Sequence, residues 1–182
     1  MSDYTPKIAY LRDGARVLIR MVRPNDARRL LAMHNHLSTE TIFQRYMGLR
    51  KFTRQDMQGC CHVDGDFEMR LVAVAEDGAI VGESCCVRID GPHSDTAEFA
   101  ILIDDAYQRR GLGRMLFHEV IAYAQTLGIK RLMIMTSGQN WGMIALVRGS
   151  GYPFTTHIDG SELIFMMSLS QEAEKRDLIR AS

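Results

Sequence analysis

The run Gln108-Arg109-Arg110-Gly111-Leu112-Gly113, followed by Arg114, has the residue types that hold a polyanion. Arginine offers a forked, permanently charged set of donors to phosphate oxygens. Glycine lets the backbone approach a bulky diphosphate with no Cβ in the way. Before the run lies an apolar, strand-like segment, Ala97 to Ile103. After it comes a helix-like segment, Arg114 to Leu127, with Leu116, Val120, Ala124 and Leu127 on one face. A strand that hands over to a helix here gathers free N–H groups and the positive end of the helix dipole at one point, which makes an anion site. No Gly-Lys-Ser/Thr follows, unlike a P-loop, and the three early glycines of a dinucleotide fingerprint are missing. The plain alternative is a glycine-rich turn with solvated arginines.

One carboxylate stands out beside that turn. Glu98 is the only charge in Ala97–Ile103, and strand alternation puts it on the face of Ala100 and Leu102. A partly desolvated carboxylate there suits proton acceptance near neutral pH. The alternative is a frayed strand start in water. Glu83, beside Gly82 in another strand-like run, is placed to line the same cleft. His34 on an apolar helical face reads as a satisfied core or rim histidine, and His118 as a helix-surface residue. His62-x-Asp64 offers two metal ligands with no third, so no metal is expected. Arg20 and Arg23 could form a patch for an acidic substrate, although solvated faces are the default.

The elements that must position these residues follow from pattern. Arg16–Val22 reads as a strand, and Pro24-Asn25-Asp26 opens a helix that turns Leu30, Leu31 and His34 inward. A second helix starts at Ser38 and runs to about Tyr46, and a short turn covers Asp56–Cys61. Phe67–Ala75 and Ile80–Ile89 form a hairpin across Glu76-Asp77-Gly78-Ala79. Thr96–Ile103 is the fourth strand, Arg131–Thr136 the fifth, with a helix over Asn140–Gly149 after it. Tyr152–Ile158 and Glu162–Leu169 close the chain as a hairpin, and 171–182 is a charged tail. Short turns make strands two to four antiparallel, and a helical crossover makes four and five parallel. The expectation is an α+β mixed sheet of about seven strands with helices on both faces, in one domain over 1–182.

Composition sets outer bounds. Lys+Arg and Asp+Glu both total 22, so the formal net charge is zero and nucleic acid is not expected as a bulk electrostatic partner. The N-terminus lacks a signal-peptide core and no apolar run reaches membrane-spanning length, so a cytoplasmic location with no membrane partner is the default expectation. The cysteines come as adjacent pairs, Cys60-Cys61 and Cys85-Cys86, with no zinc spacing; they read as small reduced hydrophobes.

The order strand, Gln-x-x-Gly-x-Gly, helix resembles the pyrophosphate loop of the GNAT superfamily of N-acetyltransferases, and the element order resembles that fold over nearly the whole chain. The run Asn140-Trp-Gly-Met143-Ile-Ala-Leu146-Val147-Arg-Gly-Ser-Gly151-Tyr152 is similar to a second family pattern, Asn-x-x-Ala/Met-x-x-Leu-x-x-x-x-Gly-Phe/Tyr. The resemblance implies acetyl-CoA as cosubstrate. Its diphosphate would rest on Gln108, Arg109, Arg110, Gly111, Leu112, Gly113 and Arg114. Asn140 and Met143 would meet the pantetheine arm, unless Asn140 is simply a helix cap. Backbone N–H groups near Leu102 and Ile103 would polarise the thioester. Many members carry a tyrosine after the leucine as general acid; this chain has Val147, which leaves the acid unassigned.

Ser38-Thr-Glu-Thr-Ile-Phe-Gln-Arg-Tyr46, His62-Val-Asp64 and Phe67–Ala73 look like segments of bacterial protein lysine acetyltransferases. That subgroup implies Glu98 as general base. It also implies a primary amine as acceptor, a protein lysine being one candidate, with the acceptor cleft bounded by Ser38–Asp64. A small amine or amino acid is the alternative acceptor. A degenerate domain that only senses acyl-CoA is the non-enzyme alternative.

Overall fold

The computed structural model describes residues 4–169, so the expected tail over 171–182 lies outside them. The elements are β1 (Lys7–Tyr10), β2 (Arg16–Met21), α1 (Ala27–His36), α2 (Thr39–Tyr46), α3 (Arg54–Cys60), β3 (Glu68–Ala75), β4 (Ile80–Arg88), β5 (Thr96–Ile103), α4 (Leu112–Thr126), β6 (Arg131–Ser137), α5 (Trp141–Arg148), β7 (Phe154–Asp159) and β8 (Glu162–Ser168). Eight strands form one sheet in the order β1-β2-β3-β4-β5-β6-β8-β7, antiparallel everywhere except β5–β6. This is the expected mixed α+β architecture with one more strand. β1 escaped the sequence reading because its four residues are largely solvent-facing and carry no apolar alternation.

Alternation along the strands builds two cores. Met69, Leu71 and Ala73 of β3, with Ala97 and Phe99 of β5, pack with Leu112, Leu116, Phe117 and Val120 of α4. Val72 and Val74 of β3, with Leu102 of β5, pack with Leu30, Met33 and Met57 of α1 and α3. The sheet is therefore covered on both faces, and its central strands are buried on both sides. Arg20 is not a substrate patch: it is 3% exposed and grips Asp26 in a forked pair at 2.6 and 2.9 Å that anchors the start of α1.

The feature that positions a site is a split in this sheet. β6 pairs with β8 along its whole length, Arg131 to Ser137. It pairs with β5 only at Thr96–Arg131, Ala97–Leu132 and Glu98–Met133. Beyond Glu98 the two parallel strands part, and the C-terminal half of β5 loses its neighbour on that side.

Candidate active site

Hydrogen-bond parity shows which backbone groups the split frees. Asp104 N–H bonds the Val81 carbonyl and Ile89 N–H bonds the Thr96 carbonyl, so even-numbered residues of β5 direct their backbone toward β4. The Asp95 carbonyl accepts from Lys130 and Arg131, so odd-numbered residues face β6. The Glu98–Met133 rung takes up the Phe99 amide, and beyond it Ile101 and Ile103 aim their amides into the gap. Leu102 is buried in the core with Leu30 and Met33, and its amide is turned into the β4 ladder. Of the expected pair, Leu102 and Ile103, only Ile103 directs its amide into the gap, and Ile101 does so beside it.

At the end of the gap stands the N-terminus of α4. A single 3-10 turn, Asp105–Tyr107, precedes the loop, and the helix begins at Leu112, two residues earlier than its pattern suggested. Met115 N–H bonds the Gly111 carbonyl at 3.2 Å, so the amides of Leu112, Gly113 and Arg114 have no helical carbonyl behind them. Gly111 caps the helix at φ +94, a conformation that side chains rarely adopt, and Arg109 also lies in the left-handed region at φ +57. A Cβ on Gly111 would sit 3.6 Å from Arg12 Cγ, so conformation rather than space calls for glycine there.

The loop residues divide their work. Arg109 and Arg114 line the cleft with Arg12, which the sequence reading missed, and none of the three has an ion-pair partner among the described residues. Arg110 turns away: it pairs with Asp13, holds that carboxyl below its ordinary range, and lies 4.5 Å over the Tyr107 ring. Leu112 is fully buried and offers only its amide. Gly113 and Met143 line the cleft. Gln108 braces the loop from its side-chain nitrogen, which donates to Thr41 Oγ1 (3.0 Å), the Ile103 carbonyl (3.2 Å) and Asp105 Oδ1 (3.1 Å). Asp105 in turn accepts from Ser38 N–H (2.6 Å), Ser38 Oγ (3.0 Å) and Thr41 Oγ1. Burial works against its charge, but these donors outweigh it and hold the carboxyl below its ordinary range.

Together these walls enclose a cleft of about 1260 Å³, from the α4 N-terminus along the β5–β6 gap to α2. Glu98 lies on it, half-buried, with no hydrogen-bond or ion-pair partner among the described residues. Asn140 also lies on it; its side-chain oxygen caps α5 by accepting from Met143 N–H at 3.0 Å, which leaves its NH2 for the cleft. On the α2 side the lining stops at Met47, so the expected boundary of Ser38–Asp64 narrows to Ser38–Met47. Val147 is fully buried in the core and does not line the cleft.

Glu83 does not join the cleft. It is 3% exposed, and its oxygens lie 2.9 Å from Arg70 Nη1 and 3.5 Å from His34 Nε2. Burial would raise its pKa, but Arg70 and then His34 overcome that and hold the carboxyl down to about 2. His34 is the satisfied core histidine expected: its Nδ1 donates to the Leu30 carbonyl at 2.8 Å and its Nε2 lies 2.9 Å from Tyr46 Oη. Tyr46 lines the cleft, and burial followed by the Glu83 charge keeps its hydroxyl protonated. His62 and Asp64 serve local turns: His62 donates to the Gln58 carbonyl, and Asp64 caps the amides of Asp66, Phe67 and Glu68.

A family model for the acetyltransferase (GNAT) family matches residues 30–152. The chain is 29% identical over 140 residues to Acetyltransferase Pat of Mycolicibacterium smegmatis, covering 76% of this chain but 42% of that protein's length. It is 31% identical over 150 residues to Acetyltransferase PA5475 of Pseudomonas aeruginosa, covering 78% of this chain and 77% of that one. The crystal structure of the GNAT domain of S. lividans PAT superposes with a TM-score of 0.83 at 24% identity, covering 91% of this chain and 99% of that one.

Proposed function

The chain belongs to the GNAT acetyltransferase family, and from that premise we propose that it moves an acetyl group from acetyl-CoA to a primary amine. The observation that carries this reading is the continuous path from the α4 N-terminus, along the freed backbone of β5, to the unpartnered Glu98. A diphosphate fits its entrance. Backbone amides of Leu112, Gly113 and Arg114 face it, the helix dipole favours it, and Arg12, Arg109 and Arg114 lack counter-charges. The gap between β5 and β6 fits an extended arm, with the Asn140 NH2 on one wall.

Acetyl-CoA, once bound, supplies an acetyl group activated as a thioester. The residues do the rest. Amides of Ile101 and Ile103 point into the gap, where developing negative charge on a carbonyl oxygen would need donors. Glu98 accepts the proton an ammonium must lose before it attacks, directly or through one water. Holding both reactants in one cleft removes much of the entropic barrier. The general acid that a tyrosine at the Val147 position would supply is left unassigned, and a thiolate of modest basicity can leave without one.

For the acceptor, the likeness of Ser38–Ala73 to protein lysine acetyltransferases supports a lysine on a protein surface. A second reading, a small amino acid, is favoured by one observation: Arg45, on the α2 wall of the cleft, forms no salt bridge among the described residues. The test incubates the purified protein with acetyl-CoA and a panel of amines and lysine-bearing proteins, and follows thiol release. Release that depends on an amine is the expected result; release with none of them would refute the transferase reading.

A further inference from the structure

Thr136 of β6 lines the cleft, is 1% exposed, and its Oγ1 has no hydrogen-bond partner among the described residues. Ser84 Oγ and Arg70 Nε are unpartnered too, but neither residue lies on the cleft. Leu132 and Ile134 occupy the same face of β6 and belong to the core, so a valine would fill the Thr136 position at the same size without burying a polar atom. A hydroxyl held there calls for a partner that arrives with a ligand.

The strand register tells which side of the sheet this hydroxyl serves. Ala97 and Leu132 share a rung, and both enter the core that Phe117 of α4 and Ile144 of α5 cover. Counting on from the last rung, Glu98–Met133, brings Ile101 and Thr136 to one level on facing sides of the gap, again on the α4 and α5 face. Met143 and Leu146 of α5 line the cleft there with Thr136. Glu98 shares its parity with Leu102, which packs with Leu30 and Met33, so it belongs to the opposite face, the one covered by α1 and α2.

In the transferase reading, on which this inference rests, the amine comes from the face of Glu98 and the carbonyl oxygen turns to the amides of Ile101 and Ile103. The arm that carries the sulfur passes Asn140 and Met143, so the sulfur lies toward α5. We propose that the Thr136 hydroxyl donates a hydrogen bond to the thioester sulfur as it becomes a thiolate, the support for the leaving group that Val147 does not give. The amine nitrogen takes the acetyl carbon, the carbon–sulfur bond breaks with its electron pair on sulfur, and the amine's protons leave through Glu98 and water. Thr136 shares its proton without surrendering it, and the thiolate is protonated by solvent after release. A thioester sulfur is a poor acceptor and a thiolate a strong one, so this bond strengthens as the reaction advances and acts on kcat rather than on ground-state binding. The apolar Met143 and Leu146 beside it keep competing water away.

Thr136→Val keeps the size and removes the hydroxyl, and Thr136→Ser keeps the hydroxyl. With saturating acetyl-CoA and the best acceptor of an amine panel, kcat for thiol release should fall roughly 10- to 100-fold in Thr136→Val, the scale of a lost hydrogen bond to a charged group, while the acetyl-CoA Kd moves by less than about threefold. Thr136→Ser should recover most of that loss. The second readout needs no turnover: calorimetric Kd values for CoA and for desulfo-CoA, which lacks the sulfur, at pH 7 and pH 9.5. In the unmodified protein the preference for CoA should grow with pH as the thiol ionises; in Thr136→Val that growth should vanish while desulfo-CoA binds as before. A pH-dependent preference for CoA that is the same in both proteins would overturn the inference. So would a Thr136→Val variant that loses CoA and desulfo-CoA affinity alike, or one whose kcat is unchanged with chemistry limiting. Each of these leaves the transferase reading standing; no thiol release from the unmodified protein with any amine would remove both.

Discussion

Replacing Glu98 by glutamine tests the chemistry most directly, because the side chain keeps its size and loses only its basicity. Glu98 holds nothing together: it has no hydrogen bond or ion pair among the described residues. Its backbone rungs to Val87 and Met133 are indifferent to the substitution. Fold and cofactor affinity should therefore survive. The size of the effect follows from what the base does. An amine with a pKa of about 10.4 is unprotonated in only roughly 4 molecules in 10⁴ at pH 7. The unmodified protein can bind the ammonium and take its proton in the cleft, whereas the variant must wait for free amine. A positioned general base contributes on the order of 10²- to 10⁴-fold, so kcat in Glu98→Gln should drop at least a hundredfold at pH 7. The free-amine fraction rises about tenfold per pH unit, so the deficit should shrink to within about tenfold near pH 9.5. The assay is thiol release at saturating acetyl-CoA and the best acceptor from pH 6.5 to 9.5, on enzyme whose acetyl-CoA affinity has been measured. A kcat unchanged at pH 7 with chemistry limiting would take the role away from Glu98. A deficit that stays constant across the range would show that Glu98 acts by positioning instead.

Gly111→Asp should abolish acetyl-CoA binding in calorimetry, because it strains a residue at φ +94 and puts a negative charge where the diphosphate rests. Binding to the unmodified protein should weaken as salt rises from 50 to 500 mM, since exposed guanidinium groups supply much of it. Asp105→Ala should remove the anchor of α2 and raise the acceptor KM more than the acetyl-CoA Kd, measured side by side; equal losses would mean that the loop itself collapsed. Glu83 has a folded pKa of about 2 against 4.5 unfolded, so its stabilisation is present above pH 4.5 and lost as pH falls toward 2, on the order of 3 kcal/mol at most. Arg70→Met should cost about 3–5 kcal/mol in denaturant midpoints at pH 7 and much less at pH 3, because it strands a buried carboxylate that acid can neutralise.

The loop between β5 and α4 was legible in the sequence because backbone builds it. Glycines mark positive φ, a strand-to-helix handover marks free amides, and both features are local. Side-chain roles at the same loop were not legible. Arg110 looks like Arg109 in one dimension, yet it faces outward because Asp13 and Tyr107 lie beside it in space. Glu83 and Glu98 both sit in strands next to small residues. Burial against Arg70 and His34 makes one an ion-pair member, while the departure of β6 leaves the other open. That departure carries no local signature, since β6 continues unbroken beside β8. Arg12 escaped because its importance lies in standing beside Arg109 and Arg114 on the cleft, which is visible only when the neighbours in space are known.

The two ends of the cleft are joined more tightly than either pattern suggested. Gln108, expected to touch cofactor, spends its side-chain nitrogen on Thr41, Ile103 and Asp105. Asp105, the second residue after β5, acts as the anion at the α2 N-terminus, where the helix dipole and the Ser38 amide both favour it. The wall that carries Arg45 and Tyr46 is thus hung from the same loop that presents the free amides of Leu112, Gly113 and Arg114. α2 has only eight residues and would not hold its shape alone in water. Its position depends on this clasp and on its packing across β5 and β6. A shift of the loop by even an ångström would carry Arg45 with it relative to Glu98, which is fixed in the ladder between β4 and β6. Because the loop and the acceptor wall share Asp105, the position of α2 and that of the loop before α4 are set by one group of hydrogen bonds.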